Sequence, residues 1–190
     1  MTTNAKRLCV FCGNQAGLSP TWIEAATTLG RAIAHHRIEL VYGGGGQGMM
    51  GAVADAALEA KGRVIGVIPS DLFAHESLHR GIDEVCEVET MRERKSLMMD
   101  LSDGFIVLPG GVGTMDELFE IWALARIGIH SKPTVLLNIE GYYDSLVDFL
   151  DTMTASAYIG ADDRAYLQVE KQPEAALARL SAVIEGRARD

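Results

Sequence analysis

The chain has 190 residues, 48% hydrophobic and 23% charged, a balance that fits one globular domain with a substantial buried core. Seventeen Lys and Arg against 26 Asp and Glu give a net charge of −9, which works against nonspecific binding to polymeric nucleic acid or to anionic membranes. No apolar run approaches the roughly 20 residues that span a bilayer, and MTTNAKR is too short and polar for a signal peptide, so a cytoplasmic location is expected.

Short apolar runs rich in β-formers alternate with helical patterns along the chain. RLCVF reads as a strand and is followed by a helix from about Pro20 to His36; IELVY precedes a helix from about Gly48 to Lys61, and RVIGVI follows. Then come EVCEV, a helix from about Met91 to Leu101, GFIVL, a helix from about Thr114 to Ile127, TVLLN, a helix near Tyr143 to Met153, and a last helix from about Pro173 to Ile184. Strands apolar along their whole length imply a sheet covered by helices on both faces. The expected fold is therefore α/β: one Rossmann-like doubly wound sheet over residues 1–190, mainly parallel. In such sheets ligands bind beyond the carboxyl ends of the strands, where the winding reverses. Cys9, Cys12 and Cys86 make an odd count, and CVFC lies in an apolar strand, so reduced structural thiols are expected.

Two strands run into glycine loops. IELVY leads to GGGGQGMMG, with G-x-G-x-x-G at Gly46, Gly48 and Gly51, and Asp71 follows about where a dinucleotide site would place its acid. The loop stands in the second strand-helix unit, not the first, so a dinucleotide site and a tight turn that only serves helix packing both remain as readings. GFIVL leads to PGGVGTMDELFE, where Gly110, Gly111 and Gly113 expose main-chain amides and Thr114 offers a hydroxyl at the expected helix start. Two such loops at strand ends suit a nucleotide-sized ligand.

Thr114 to Glu117 also spells the capping box T-x-x-E, and spacing alone favours the cap over a catalytic carboxylate. Glu120 lies one turn on and shares the face. In TMRERKSLMMD, Thr90 and Glu93 form a second capping box, which sets Arg92, Arg94 and Lys95 against the helix dipole; an anionic partner would offset that cost. HESLH matches H-E-x-x-H, in which His75 and His79 would bind zinc and Glu76 would act as base. Pro69 and Gly81 leave little room for the helix this requires, and the histidines fit the surface or the rim of a pocket better.

The order and spacing of CVFCG, ELVYGGGGQGMMG, VIGVIP, MRERK and PGGVGTMDE resemble the Lonely Guy (LOG) family, cytokinin riboside 5′-monophosphate phosphoribohydrolases, from about Leu8 to at least Gly141. The resemblance implies hydrolysis of the N-glycosidic bond of an adenine-type nucleoside 5′-monophosphate, with no metal or redox cofactor, in a homodimer. By motif it assigns Arg94 and Glu117 as the catalytic pair. Lys95, Gly111, Val112, Gly113, Thr114, Met115 and Asp116 match substrate-binding positions, Glu76 matches a substrate-contacting glutamate, and the loop with Gly44 and Gly48 matches the other wall of the pocket. The chain departs from many relatives at Asn14, Arg92, Ala123 and Leu124; the last two lie near a family substrate contact, so they bear on the preference for base or N6 substituent. A noncatalytic nucleotide-binding module and an NAD-type oxidoreductase are the alternative readings of the same loops.

Overall fold

Alternate side chains of the first strand, β1 (Arg7–Phe11), enter two different apolar layers: Leu8 and Val10 one, Cys9 and Phe11 the other. This period-two division, with both faces buried, explains why the strand reads as a continuous apolar run. The structure, a computed structural model, describes residues 5–70 and 78–187. After β1 come α1 (Pro20–His35), β2 (Glu39–Tyr42), α2 (Gly48–Glu59), β3 (Val64–Pro69), β4 (Glu84–Val88) and α3 (Met91–Leu101). The second half holds β5 (Gly104–Val107), α4 (Val112–Arg126), β6 (Thr134–Leu137), α5 (Asp144–Ala155), α6 (Ala161–Tyr166), β7 (Leu167–Glu170) and α7 (Pro173–Arg187).

The strands form one sheet in the order β4-β3-β2-β1-β5-β6-β7, and every pairing is parallel. Leu29, Ile33, Val53, Ala57, Leu177 and Leu180 bring α1, α2 and α7 onto one face; Met98, Leu118, Ile121, Trp122 and Leu150 bring α3, α4 and α5 onto the other. Full burial of each large aliphatic side chain contributes about 1.5–3 kcal/mol, so the two layers supply most of the favourable term. The winding reverses between β1 and β5. Among the described residues no helix is long and apolar enough to cross a membrane.

The doubly wound architecture agrees with the sequence reading, and two elements escaped it. α6 and β7 were not expected, because ADDRAYLQVE is short, polar and lacks an apolar run. β7 is an edge strand with only Leu167 fully buried, so its pattern carries little hydrophobic signal. At the other edge β4 alternates half-buried and exposed residues instead of being covered on both faces. Helix ends moved by a few residues: α1 starts with Pro20 in its first turn and stops before Arg37, whose φ of 57° is left-handed.

Candidate active site

At the switch point the loops leaving β1 and β5 are tied together. Leu108 N–H donates to the Phe11 carbonyl at 2.9 Å, and Gly13 N–H donates to the Pro109 carbonyl at 3.1 Å. Two neighbouring tyrosines brace the β5 loop from behind: the Tyr143 hydroxyl donates to the Leu108 carbonyl at 2.6 Å and the Tyr142 hydroxyl to the Gly110 carbonyl at 2.7 Å. Gly110 fits because a Cβ there would come within 2.1 Å of Thr114 Oγ1.

α4 starts earlier than the sequence suggested. Gly111 is the N-cap, no side chain caps the helix, and the Met115 N–H makes the bond to the Gly111 carbonyl at 3.1 Å. The amides of Val112, Gly113 and Thr114 therefore have no acceptor inside the helix and lie at its positive end. Thr114 is the third helical residue, so the expected capping box from Thr114 to Glu117 does not form. Glycine is itself an acceptable N-cap, and Val112 and Gly113 continue the helix, which moves Glu117 well inside it. Of the second expected box, at Thr90, one half forms: Glu93 N–H donates to Thr90 Oγ1 at 3.2 Å, while the Glu93 carboxylate reaches past the cap and accepts from Glu89 N–H at 2.9 Å.

Arg94 and Glu117 are the two charged side chains that are buried among the described residues, 4% and 6% exposed. Both border a cavity of about 270 Å³ that also meets Cys12, Asn14, Met50 and Thr114. Arg94 comes up from α3 beneath the strand ends, donating from Nε to the Val67 carbonyl at 3.1 Å and from Nη2 to the Gly43 carbonyl at 2.8 Å. Hydrogen bonds to a charged group contribute about 1.5–3 kcal/mol each, enough to offset much of the desolvation of the guanidinium. A guanidinium has five donors, and these carbonyls use two. Burial raises the pKa of Cys9 and Cys12; the charge of Glu117 adds to the rise and that of Arg94 opposes it, so both remain thiols at neutral pH.

A second cavity, about 280 Å³, lies on the α3 side of Glu117 and is bordered by Phe11, Arg92, Lys95, Met99, Glu120 and Leu124. Glu117 thus borders both spaces. The basic run of α3 is not a single patch: Arg92 is exposed, Arg94 is buried, and Lys95 is paired with Asp116 at 2.8 Å and Glu120 at 2.5 Å. The hydrogen bonds that Lys95 donates to Asp116 and then to Glu120 raise its pKa. Those carboxylates, in place of an expected anionic ligand, offset the unfavourable helix position of Lys95, a matter of about 0.3–1 kcal/mol.

The other expected positions divide. Val112 is 87% exposed at the cavity mouth, Asp116 is exposed, and Met115 packs partly into the α4 core. Gly44 and Gly48 have φ of 80° and 57°, and a Cβ at Gly48 would meet the Asn14 carbonyl at 2.4 Å. These two glycines shape the loop and do not border the cavity; Met50 borders it from that side. Asp71, His75 and Glu76 lie outside the described residues. His79 is in an extended bridge segment, not on a helix, and both of its ring nitrogens are engaged, Nε2 with Asp55 and Nδ1 with Gly81 N–H. The loop after β1, CGNQAG, to which the sequence reading gave no part of the site, borders the cavity through Cys12, Gly13 and Asn14. Its position after the strand next to the reversal was the signal that could have found it.

A larger open cavity, about 630 Å³ and rimmed by Glu24, Glu140, Asp144 and Glu174, lies elsewhere, and neither Arg94 nor Glu117 borders it. The two buried charges found among the described residues lie at the switch point instead.

Fold and cleft together define a Rossmann-like α/β protein with a cleft at its switch point that two buried charged side chains border. The family model described as "Possible lysine decarboxylase" matches residues 50–180. A probable cytokinin riboside 5′-monophosphate phosphoribohydrolase of Oryza sativa subsp. japonica is 45% identical over 159 residues, covering 84% of this chain and 70% of the relative. A cytokinin riboside 5′-monophosphate phosphoribohydrolase of Rhodococcoides fascians is 42% identical over 176 residues, covering 92% of this chain and 89% of the relative. The chain belongs to this phosphoribohydrolase family, the Lonely Guy family. Among solved structures, the molybdenum cofactor binding protein of Rippkaea orientalis matches with a TM-score of 0.73 at 24% identity, covering 96% of this chain and 99% of that one. That likeness is one of fold.

Proposed function

We propose that the chain hydrolyses the N-glycosidic bond of cytokinin riboside 5′-monophosphates, and of AMP, to free base and ribose 5-phosphate. The observation that carries this reading is that the two charged side chains buried among the described residues, Arg94 and Glu117, border one cavity beside the open amides of α4. The 5′-phosphate is held at the start of α4 by the amides of Val112, Gly113 and Thr114, helped by the helix dipole. In the reaction the C1′–N bond breaks and its electron pair stays with the base, leaving oxocarbenium character on the sugar. The Glu117 carboxylate stabilises that charge and orients a water, whose oxygen bonds to C1′ and keeps one hydrogen as the new hydroxyl, while its other proton passes by way of the carboxylate to the departing base. Arg94, fixed by two carbonyls, contacts an anionic or hydroxyl group of the substrate and keeps the sugar in line with Glu117.

The second cavity, with Met99 and Leu124 on its walls, is the space beyond Glu117 offered to the base and its N6 substituent. Lys95 and Asp116 act there as a pair with Glu120, and Glu76 is kept as a substrate contact from the family motif alone. We assign one domain to the chain, acting as a homodimer in the cytoplasm. Exposed Val112, Phe119, Ile127 and Ile129, on and just after α4, support the dimer, and the absence of disulfides among its cysteines suits a reducing compartment.

The test compares nucleotide with nucleoside. AMP and isopentenyladenosine monophosphate are expected to release free base, and the matching ribosides without phosphate to react at least about 100-fold more slowly, since the phosphate supplies binding energy used at the reacting carbon. Equal rates with and without phosphate would remove the α4 cradle from the mechanism. Treatment with EDTA is expected to leave turnover intact.

A further inference from the structure

The segment HESLH left His79 without a role, and its surroundings supply one. Leu78 pairs with Gly45 in an antiparallel bridge, and His79 N–H donates to the Gly44 carbonyl at 3.0 Å. The His79 side chain, 13% exposed, is locked at both nitrogens. Nδ1 accepts from Gly81 N–H at 3.1 Å, so Nε2 carries the proton and donates to Asp55 Oδ1 of α2 at 2.8 Å. Residues 78 and 79 are thereby tied on one side to the glycine loop and on the other to α2.

That loop holds Arg94. Gly43, next to Gly44, gives its carbonyl to Arg94 Nη2 at 2.8 Å, and a Cβ on Gly43 would stand 1.9 Å from that nitrogen. Gly43 to Gly46 have no side chains with which to fix themselves, so their placement depends on main-chain ties. The His79 amide supplies one tie, and the Asp55 contact fixes the residue that makes it.

We propose that His79, clasped by Asp55, is a positioning residue that holds the glycine loop so that the Gly43 carbonyl keeps the Arg94 guanidinium in its catalytic orientation. The consequence for turnover rests on the phosphoribohydrolase reading; the consequence for the loop does not. Asp55 is 61% exposed, so the contact adds little to global stability, and a merely structural role would leave kcat unchanged. Misplacement of a catalytic group by a fraction of an ångström to 1 Å lowers the rate by one to two orders of magnitude.

The test uses the full chain with substitutions at His79 and Asp55. In His79→Ala and Asp55→Ala, hydrogen exchange of the amides of residues 43–47 should quicken and kcat should fall about tenfold or more, with KM changed less than about threefold and the melting temperature nearly kept. His79→Gln keeps a donor at the Nε2 position, and Asp55→Asn keeps the acceptor, so each should restore most of kcat. His79→Asn keeps only the acceptor for Gly81 and should not. Unchanged exchange in His79→Ala, or a kcat within twofold of the parent, overturns the proposal. A parent protein that releases no base instead removes the hydrolase reading, and the exchange measurement still decides whether His79 anchors the loop.

Discussion

Arg94 illustrates how a residue can be identified by motif and still be misjudged in energy. In the sequence it stands in a basic run on an expected helix, which suggests a side chain free to meet phosphate and cheap to remove. In the fold it is 4% exposed and satisfies the carbonyls of Gly43 and Val67. Arg94→Ala strands both acceptors, each costing about 1–3 kcal/mol, so the variant should lose activity and also unfold several degrees earlier in a thermal melt. A melt unchanged from the parent would show those two bonds to be dispensable. For Glu117 the family motif and the spacing point different ways, because the same spacing describes a cap. The cap depends on where α4 begins, and the structure puts that start at Val112, so Glu117 is not part of a cap. Asn14, Arg92 and Leu124, at which the sequence reading finds departures from the family pattern, border the two cavities that the proposed function gives to the substrate.

At the level of elements, the β5 loop and α4 separate a glycine that packing demands from glycines that packing leaves open. A Cβ at Gly110 would strike Thr114 Oγ1 at 2.1 Å and come within 2.8 Å of Gly13 N, whereas one at Gly111 or Gly113 would meet nothing within 4 Å. Gly110→Ala should therefore distort the loop and lower the melting temperature. Gly111→Ala and Gly113→Ala should fold as stably as the parent but raise KM about tenfold or more, because the new methyls stand where the phosphate approaches the amides. Steady-state kinetics and a thermal melt check both; an unaltered KM in Gly111→Ala and Gly113→Ala would move the phosphate elsewhere. The strands between buried helices were readable because both their faces are apolar. α6 and β7 were not, since a short edge strand such as LQVE is specified by its pairing with β6 and not by its own pattern.

For the molecule as a whole, the sheet that places the cleft also buries Cys9, Cys12, Tyr42 and Tyr143, whose acid pKa values burial pushes up. Each group is neutral when folded and ionises more readily when unfolded, so the unfolded state binds fewer protons once the pH exceeds the unfolded thiol value of about 8.5. Stability is then lost as pH rises, by at most about 1.4 kcal/mol per unit per group, with the tyrosines joining above about pH 10. Thermal melts should decline from about pH 9, less steeply in Cys12→Ala; equal slopes would contradict this source of alkaline loss. The doubly wound order was legible from the alternation of strands and helices, but the joining of the β1 and β5 loops was not, because it depends on long-range main-chain bonds such as Gly13 to Pro109. The central claim is that this joined cleft hydrolyses a nucleotide through Glu117. It is tested most directly by incubating the parent and Glu117→Gln with isopentenyladenosine monophosphate and quantifying free base and ribose 5-phosphate, with melts of both proteins alongside. The account predicts equimolar products from the parent, and from Glu117→Gln a rate lower by about 100-fold or more at an almost unchanged melting temperature. Turnover by Glu117→Gln at the parent's rate, or no base released by the parent, would contradict it.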